Sequence, residues 1–173
     1  MGRQRYESVQ DRKNEEIVGD IIIECHGDRI LRKAANAHYS QTDRFAFNPF
    51  GKCIALYEIK CRNFSWGKHP TIMLSLGKWA EGHKFSQATN IPFYIIISCY
   101  NGTFSYQQDI NDVKNGNIYC EWGGRTENTR DAGDIEPVMH IPIELFTKMS
   151  DKNFTTTEEQ LIYSHETIKL SDL

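Results

Sequence analysis

Long apolar runs are scarce in this sequence of 173 residues. The longest extends from Ile91 to Ile97, far short of the roughly 20 residues that a helix needs to cross a bilayer. The basic residues of the segment 1–16 are followed by no apolar stretch of the kind that a secretory signal contains. The sequence therefore predicts no membrane span, no signal peptide and a cytoplasmic location.

Cysteine pairs and metal-binding spacings are also missing. The five cysteines are odd in number, and none of them lies in a Cys-x-x-Cys pair. Such a set does not build a disulfide framework or a zinc site, and it suits a reducing compartment. We interpret these cysteines as small buried hydrophobic residues.

Charge of both signs is present, but it is unevenly distributed. Residues 1–90 hold 14 Lys and Arg against 10 Asp and Glu, whereas residues 91–173 hold 6 against 13. A basic N-terminal half could bind nucleic-acid phosphates while the acidic half faces away. Ordinary surface charge with an acidic C-terminal part explains the same numbers, so the charge permits a nucleic-acid partner without requiring one.

The order of the predicted elements indicates one α/β domain. Apolar residues recur at helical spacing from about Glu7 to Cys25, where Gly27 is a natural stop. Further helices are predicted at 72–89 and 141–149, and strands at 30–34, 43–47, 52–62, 93–99, 104–108 and 117–122. A strand–helix–strand step from 52–62 to 93–99 predicts a parallel pair and hence a mixed sheet. We expect a single domain over residues 1–149 and a polar tail over 150–173.

The strand predicted at 52–62 carries an unusual charge pattern. Alternation places Glu58, Lys60 and Arg62 on one face, after two apolar residues on that same face. A strand that is covered by helices is usually apolar on both faces. The pattern therefore marks a candidate site, although a surface ion pair at the end of a strand would have the same spacing.

A hairpin brings a second acid to this face. If residues 48–51 form a four-residue turn, Phe47 opposes Lys52 and Asp43 opposes Leu56. Asp43 is then the diagonal neighbour of Glu58, about 7–8 Å away at the backbone. Two carboxylates at this separation can together bind one hard cation such as Mg²⁺.

The chain combines an acid on a strand, a hairpin, Glu-x-Lys on the next strand and a glutamate on the preceding helix. This combination resembles the PD-(D/E)XK nuclease superfamily. The pattern is similar in particular to the Holliday-junction-resolvase-like and small phage-type members. Asp43 stands where the family has its first acid, Glu58 where it has the second and Lys60 where it has the lysine. Glu16 matches the helical glutamate by its distance from the glycine that ends the helix, and Glu15 is its rival.

The resemblance covers roughly residues 10–110 and implies a fold and further ligands. The implied fold is a restriction-endonuclease-like core, a mixed central sheet flanked by helices. Asp43, Glu58 and the carbonyl of Ile59 would bind Mg²⁺, for which Mn²⁺ could substitute. Arg62 and Lys78, a basic residue on the helix after the motif, would contact DNA phosphates. Glu16 would complete the site or act through water, although an exposed helix residue with a local ion pair is the alternative.

The function that the resemblance implies is metal-dependent hydrolysis of DNA, on branched DNA or in the processing of phage DNA. A symmetric homodimer would suit the cutting of two strands. Two alternatives remain open. One is a catalytically inactive nucleic-acid-binding or interaction module with the same fold. The other is an enzyme of unrelated chemistry in which Glu58 and Lys60 are structural.

Overall fold

The computed structural model describes residues 9–27, 30–33, 43–124 and 135–155. Within these ranges the strands are β1 Ile30–Arg32, β2 Arg44–Phe47, β3 Cys53–Cys61, β4 Thr71–Ser75, β5 Phe93–Cys99, β6 Gly102–Gln107, β7 Tyr119–Gly124, β8 Ile135–Pro142 and β9 Thr147–Ser150. Six of them form a central sheet in the order β1-β2-β3-β5-β6-β9. The pair β3–β5 is parallel and the others are antiparallel, so the predicted mixed sheet is confirmed.

The helices are α1 Val9–His26, α2 Leu76–Thr89 and the short α3 Ile110–Lys114, with a 3-10 turn at Ile143–Leu145. Gly27 ends α1 as predicted, because its backbone takes a φ of +65° and its N–H donates to the Ile23 carbonyl at 2.9 Å. α3 was not predicted. No helix in the described part of the chain is long and apolar enough to cross a membrane.

Helices cover opposite faces of the central sheet. On one face, Val18 and Ile22 of α1 pack with Ala55 and Tyr57 of β3. On the other face, Leu56 packs in a separate cluster with Trp79 of α2 and with the antiparallel sheet β4-β8-β7. Because side chains alternate along a strand, Leu56, Glu58 and Lys60 of β3 face α2. The charged pair Glu58 and Lys60 of the predicted site therefore lies on that face.

Two helix predictions were wrong in part. The predicted helix at 72–89 begins only at Leu76, and Thr71–Ser75 is a strand that pairs with β8. Ile72 and Leu74 are buried whereas Met73 is 45% exposed, which is the two-residue period of a strand. Residues 141–149 are not a helix but the end of β8, the 3-10 turn and β9. In both segments a strand partner distant in the sequence decides the conformation.

The first residues of the predicted polar tail, 150–155, pack against the rest of the domain. Phe154 is buried against the α1 face of the sheet, and its backbone N–H donates to Ser98 Oγ at 2.9 Å. The Lys152 carbonyl accepts a hydrogen bond from Thr103 Oγ1 at 2.8 Å. Residues 150–155 are therefore part of the packed domain. The rest of the predicted tail, 156–173, lies outside the described residues.

Candidate active site

Glu58, near the carboxyl end of β3, is the centre of the candidate site. Its side chain is 0% exposed. The flanking residues Tyr57 and Ile59 pack on the α1 side, so Glu58 follows Leu56 towards the α2 side. A buried carboxylate costs free energy unless polar or charged groups face it. The partners of Glu58 therefore decide what this position can do.

Asp43 lies beside Glu58 because of the register of the β2–β3 hairpin. Arg44 opposes Tyr57, and the residue before Arg44 therefore comes next to the residue after Tyr57. The Asp43 N–H donates to the Tyr57 carbonyl at 3.1 Å. In return, the Ile59 N–H donates to Asp43 Oδ2 at 2.8 Å. The carboxylate of Asp43 is thus held against the backbone of β3.

The predicted register, with Asp43 opposite Leu56, was wrong by two residues. Asn48 Oδ1 accepts hydrogen bonds from two backbone N–H groups of the turn, at 2.9 and 3.0 Å, and the first strand pair is Phe47 with Cys53. A β-bulge next to Phe47 adds the second residue of the difference. Since side chains alternate with a period of two, this shift leaves Asp43 on the predicted face and moves it closer to Glu58.

Two ammonium groups approach Glu58 from different elements. Lys60 Nζ lies 2.5 Å from Glu58 Oε1. Lys78 Nζ lies 2.9 Å from Glu58 Oε2 and 3.8 Å from Asp43 Oδ1. Lys78 is in the first turn of α2, where the Ser75 side chain accepts a hydrogen bond from its backbone N–H at 3.3 Å and caps the helix. The site is therefore assembled from β2, β3 and the start of α2.

Burial and charge shift the pKa values of the central pair. Burial raises the pKa of Glu58 above its ordinary value of 4.5, and the Asp43 charge adds to this while both lysines oppose it. Burial alone would lower the pKa of Lys60, but attraction to Glu58 and Asp43 outweighs it, so the pKa is raised above 10.5. Lys60 therefore keeps its proton at neutral pH.

The two carboxylates have the chemistry that a hard divalent cation needs. Mg²⁺ prefers oxygen ligands and is usually bound by one or two carboxylates together with waters and phosphate oxygens. Glu58 Oε1 is buried, and although the Lys60 ammonium is close, no well-directed hydrogen bond reaches this oxygen from the described residues. The residues present therefore fit the ion. The described ranges contain no group of three or more His, Cys, Asp or Glu that could hold a metal.

Glu16 is not brought to this pair. Its side chain is 73% exposed, and its Oε1 lies 2.6 Å from Nη2 of Arg44. Arg44 follows Asp43 directly, so its side chain points to the other face of the sheet, the face covered by α1. Glu15, the rival candidate, lies 3.8 Å from the same guanidinium and 3.1 Å from Lys33 Nζ. Glu15 and Glu16 thus contact Arg44 instead of the carboxylate pair.

Arg62 lies at the margin of the site. It directly follows β3, and its backbone N–H donates to the Ser98 carbonyl at 2.8 Å. Its positive charge is close enough to lower the pKa of Lys60, against the larger effect of the carboxylates. The structure therefore gathers Asp43, Glu58, Lys60 and Lys78, and places Arg62 next to them.

Sequence reasoning missed two features of the site. Arg44 is only 3% exposed, on a face shared with the buried Ala46. An arginine on the core face of an apolar strand needs an acidic partner, so the strand pattern contained a usable signal. The contact of Lys78 with both carboxylates had no local signal, because α2 and β3 meet only in the folded domain.

Comparisons with known proteins identified a family and several similar solved structures. A family model described as "Phage putative PDDEXK endonuclease" matches residues 1–149. No curated protein matches the chain. A structure of Archaeoglobus fulgidus Hjc, a Holliday junction resolvase from an archaeal hyperthermophile, is similar with a TM-score of 0.48 and 13% sequence identity, over 79% of this chain and 92% of that chain.

Proposed function

The chain belongs to the phage PDDEXK endonuclease family, and we propose that it is a Mg²⁺-dependent nuclease that hydrolyses phosphodiester bonds in DNA. The resemblance to the PD-(D/E)XK superfamily that the sequence predicted is confirmed by this membership. The observation that supports the proposed chemistry best is the fully buried carboxylate of Glu58 beside Asp43. Two acids in such surroundings cost free energy unless cations bind them.

The proposal gives each residue of the carboxylate pair a binding role. Asp43 and Glu58 would hold the divalent ion, with the carbonyl of Ile59 as a further ligand. Asp43 would use Oδ1, because its Oδ2 already accepts the Ile59 N–H. When bound, the ion supplies a Lewis acid for the phosphate and lowers the pKa of a coordinated water. Mn²⁺ could substitute, since it takes the same oxygen ligands.

Lys60 would stabilise negative charge that develops on the phosphate. Its raised pKa keeps the ammonium protonated at neutral pH, so it donates hydrogen bonds and does not accept a proton from water. Its side chain is 29% exposed and can reach a bound substrate. Arg62, next to Lys60 at the end of β3, would contact a neighbouring phosphate of the DNA strand. For Glu16 we propose a structural role through Arg44.

The finer substrate is part of the proposal. We expect branched DNA or another intermediate of phage DNA processing, acted on in the cytoplasm. A homodimer would place two sites on two strands of one substrate. A second candidate is an inactive DNA-binding module. It is favoured by the position of Glu15 and Glu16, which contact Arg44 and do not supply the carboxylate pair with a third acid.

A cleavage assay with matched variants tests these functions. The protein is incubated with supercoiled, linear, four-way-junction and single-stranded DNA and with RNA, in Mg²⁺, Mn²⁺ or chelator. We expect cleavage that chelator, Glu58→Gln and Lys60→Ala each abolish. Glu144→Gln, the same change at an exposed residue of the 3-10 turn, should leave the rate unchanged. Binding without cleavage on every substrate would favour the inactive module, and the absence of binding would leave an unrelated chemistry.

A further inference from the structure

A lysine ammonium lies between the two acids that would hold the metal. Lys78 Nζ is 2.9 Å from Glu58 Oε2 and 3.8 Å from Asp43 Oδ1. Lys60 differs, because the oxygen that it contacts is Glu58 Oε1. Among the described residues, Lys78 is therefore the lysine whose ammonium lies within 4 Å of both carboxylates, although the charge of Lys60 also acts on Asp43. A divalent ion bound by these two carboxylates would compete with the ammonium for their negative charge.

We propose that Lys78 is a built-in competitor for the metal, which neutralises the carboxylate pair in the metal-free protein and is displaced when the ion binds. This inference rests on the proposed function, since it takes Asp43 and Glu58 as the metal ligands. Its physical basis is that two adjacent carboxylates repel each other and that a buried one is costly without a cation. An internal ammonium lets the protein fold and persist before it has bound a metal.

The position of Lys78 allows such an exchange. Its backbone is fixed by the cap at Ser75 at the start of α2, so the helix does not have to move. Its side chain is 24% exposed and carries the charge on four methylene groups, which lets the ammonium swing towards solvent. The displaced ammonium would remain at the mouth of the site. There it becomes available to a phosphate of the substrate, which links metal binding to substrate binding.

The test measures metal affinity in the absence of DNA. Mg²⁺ is titrated by calorimetry at one pH into the full chain, into Lys78→Met and into Lys84→Met. Lys84 is an exposed residue of the same helix, so its removal makes the same change in net charge at a position away from the carboxylates. We expect about tenfold tighter Mg²⁺ binding for Lys78→Met, since a charge-assisted hydrogen bond no longer has to be broken. Lys84→Met should bind like the unmodified chain.

A second readout follows the displaced side chain directly. Lysines are acetylated with a limiting amount of an amine-reactive reagent, and the labelled peptides are measured by mass spectrometry. Lys78 should be labelled several-fold faster after Mg²⁺ is added, while Lys84 is labelled at a constant rate. The inference is overturned if Lys78→Met and the unmodified chain bind Mg²⁺ with equal affinity, or if the labelling rate of Lys78 does not depend on Mg²⁺. Either result leaves the proposed nuclease function intact. Failure of every variant to bind Mg²⁺ or Mn²⁺ overturns both. Reduced cleavage by Lys78→Met together with tighter metal binding supports the coupling to substrate.

Discussion

Replacement of Glu58 by Gln should make the metal-free protein more stable while it abolishes cleavage. Glu58 is fully buried, and burial is the largest of the influences on its pKa, which is raised. A raised pKa means that the folded state disfavours the charged carboxylate relative to the unfolded state. Gln has nearly the same shape and carries no charge. At neutral pH the substitution therefore removes the free-energy penalty of burying the charged Glu58 carboxylate in the folded state.

The size of the effect depends on what happens to the lysines that lose their partner. Removal of one member of a buried ion pair is destabilising when the other charge stays buried. Here the ammonium groups of Lys60 and Lys78 are on side chains 29% and 24% exposed, so each can turn towards water. The loss of the desolvated carboxylate should therefore dominate. We expect a gain of about 1–2 kcal/mol at pH 7 in chelator, the order of magnitude seen when buried charged groups are replaced by neutral groups of similar volume.

The gain should depend on pH in a defined direction. Because the folded pKa of Glu58 lies above its unfolded value near 4.5, its contribution to stability is fully present below pH 4.5. That contribution is lost as the pH rises through the raised folded pKa. The advantage of Gln over Glu is therefore largest at neutral pH and shrinks as the pH approaches 4.5 from above.

Urea unfolding of both proteins in chelator at pH 7 and pH 5 measures this difference. A gain of this size should move the midpoint at pH 7 by about 1 M urea or less, given the usual dependence of the free energy of unfolding on urea. Glu144→Gln controls for an amide at an exposed position and should change stability by less than about 0.5 kcal/mol. If Glu58→Gln were less stable than the native protein at pH 7, the lysines would outweigh burial and the reasoning would be refuted.

Three further outcomes follow from the packing and charge of the site. Gly82→Ala should destabilise the protein by about 1–3 kcal/mol in urea unfolding, because the added Cβ would lie 2.4 Å from the ring of Phe93. The control Gly77→Ala, whose Cβ would have no atom within 4 Å, should gain up to about 1 kcal/mol. If the two variants were equally stable, α2 would not pack on Phe93 as the structure shows. Arg44→Met should lose about 1–3 kcal/mol in urea unfolding, because Glu15 and Glu16 of α1 lose their buried partner, and native stability of this variant would contradict that role. Mg²⁺ affinity measured by calorimetry should fall as the pH drops from 7 to 5, because the raised pKa of Glu58 lets protons compete with Mg²⁺ for this carboxylate at a higher pH than for an ordinary glutamate. A constant affinity over that range would contradict this role of Glu58.

Local patterns in the sequence were sufficient for several elements. The helical spacing before Gly27 predicted α1, and the apolar run at 93–99 predicted the strand β5, both of which the structure contains. Such patterns are informative because each depends on residues that are close together in the chain. The strand–helix–strand order also predicted the parallel pair β3–β5.

Elements whose conformation depends on distant partners were not predictable in this way. Thr71–Ser75 has side chains that could continue the helix after it, and its strand state depends on pairing with β8, more than sixty residues later. The contacts of Glu16 show the same limit. Its position in the helix suited a site residue, but the buried guanidinium of Arg44 lies on its side of the sheet.

The sequence by itself determined which face of β3 carries the charged residues and that Asp43 shares it, because the alternation of a strand is fixed by its covalent geometry. It did not determine how close the two acids come. The hydrogen bonds of Asn48 in the turn and the bulge at Ile54 of β3 set that register, and the docking of α2 on the sheet brought the Lys78 ammonium between the carboxylates. Distances of this kind depend on how separate elements pack, and only the tertiary structure fixes them.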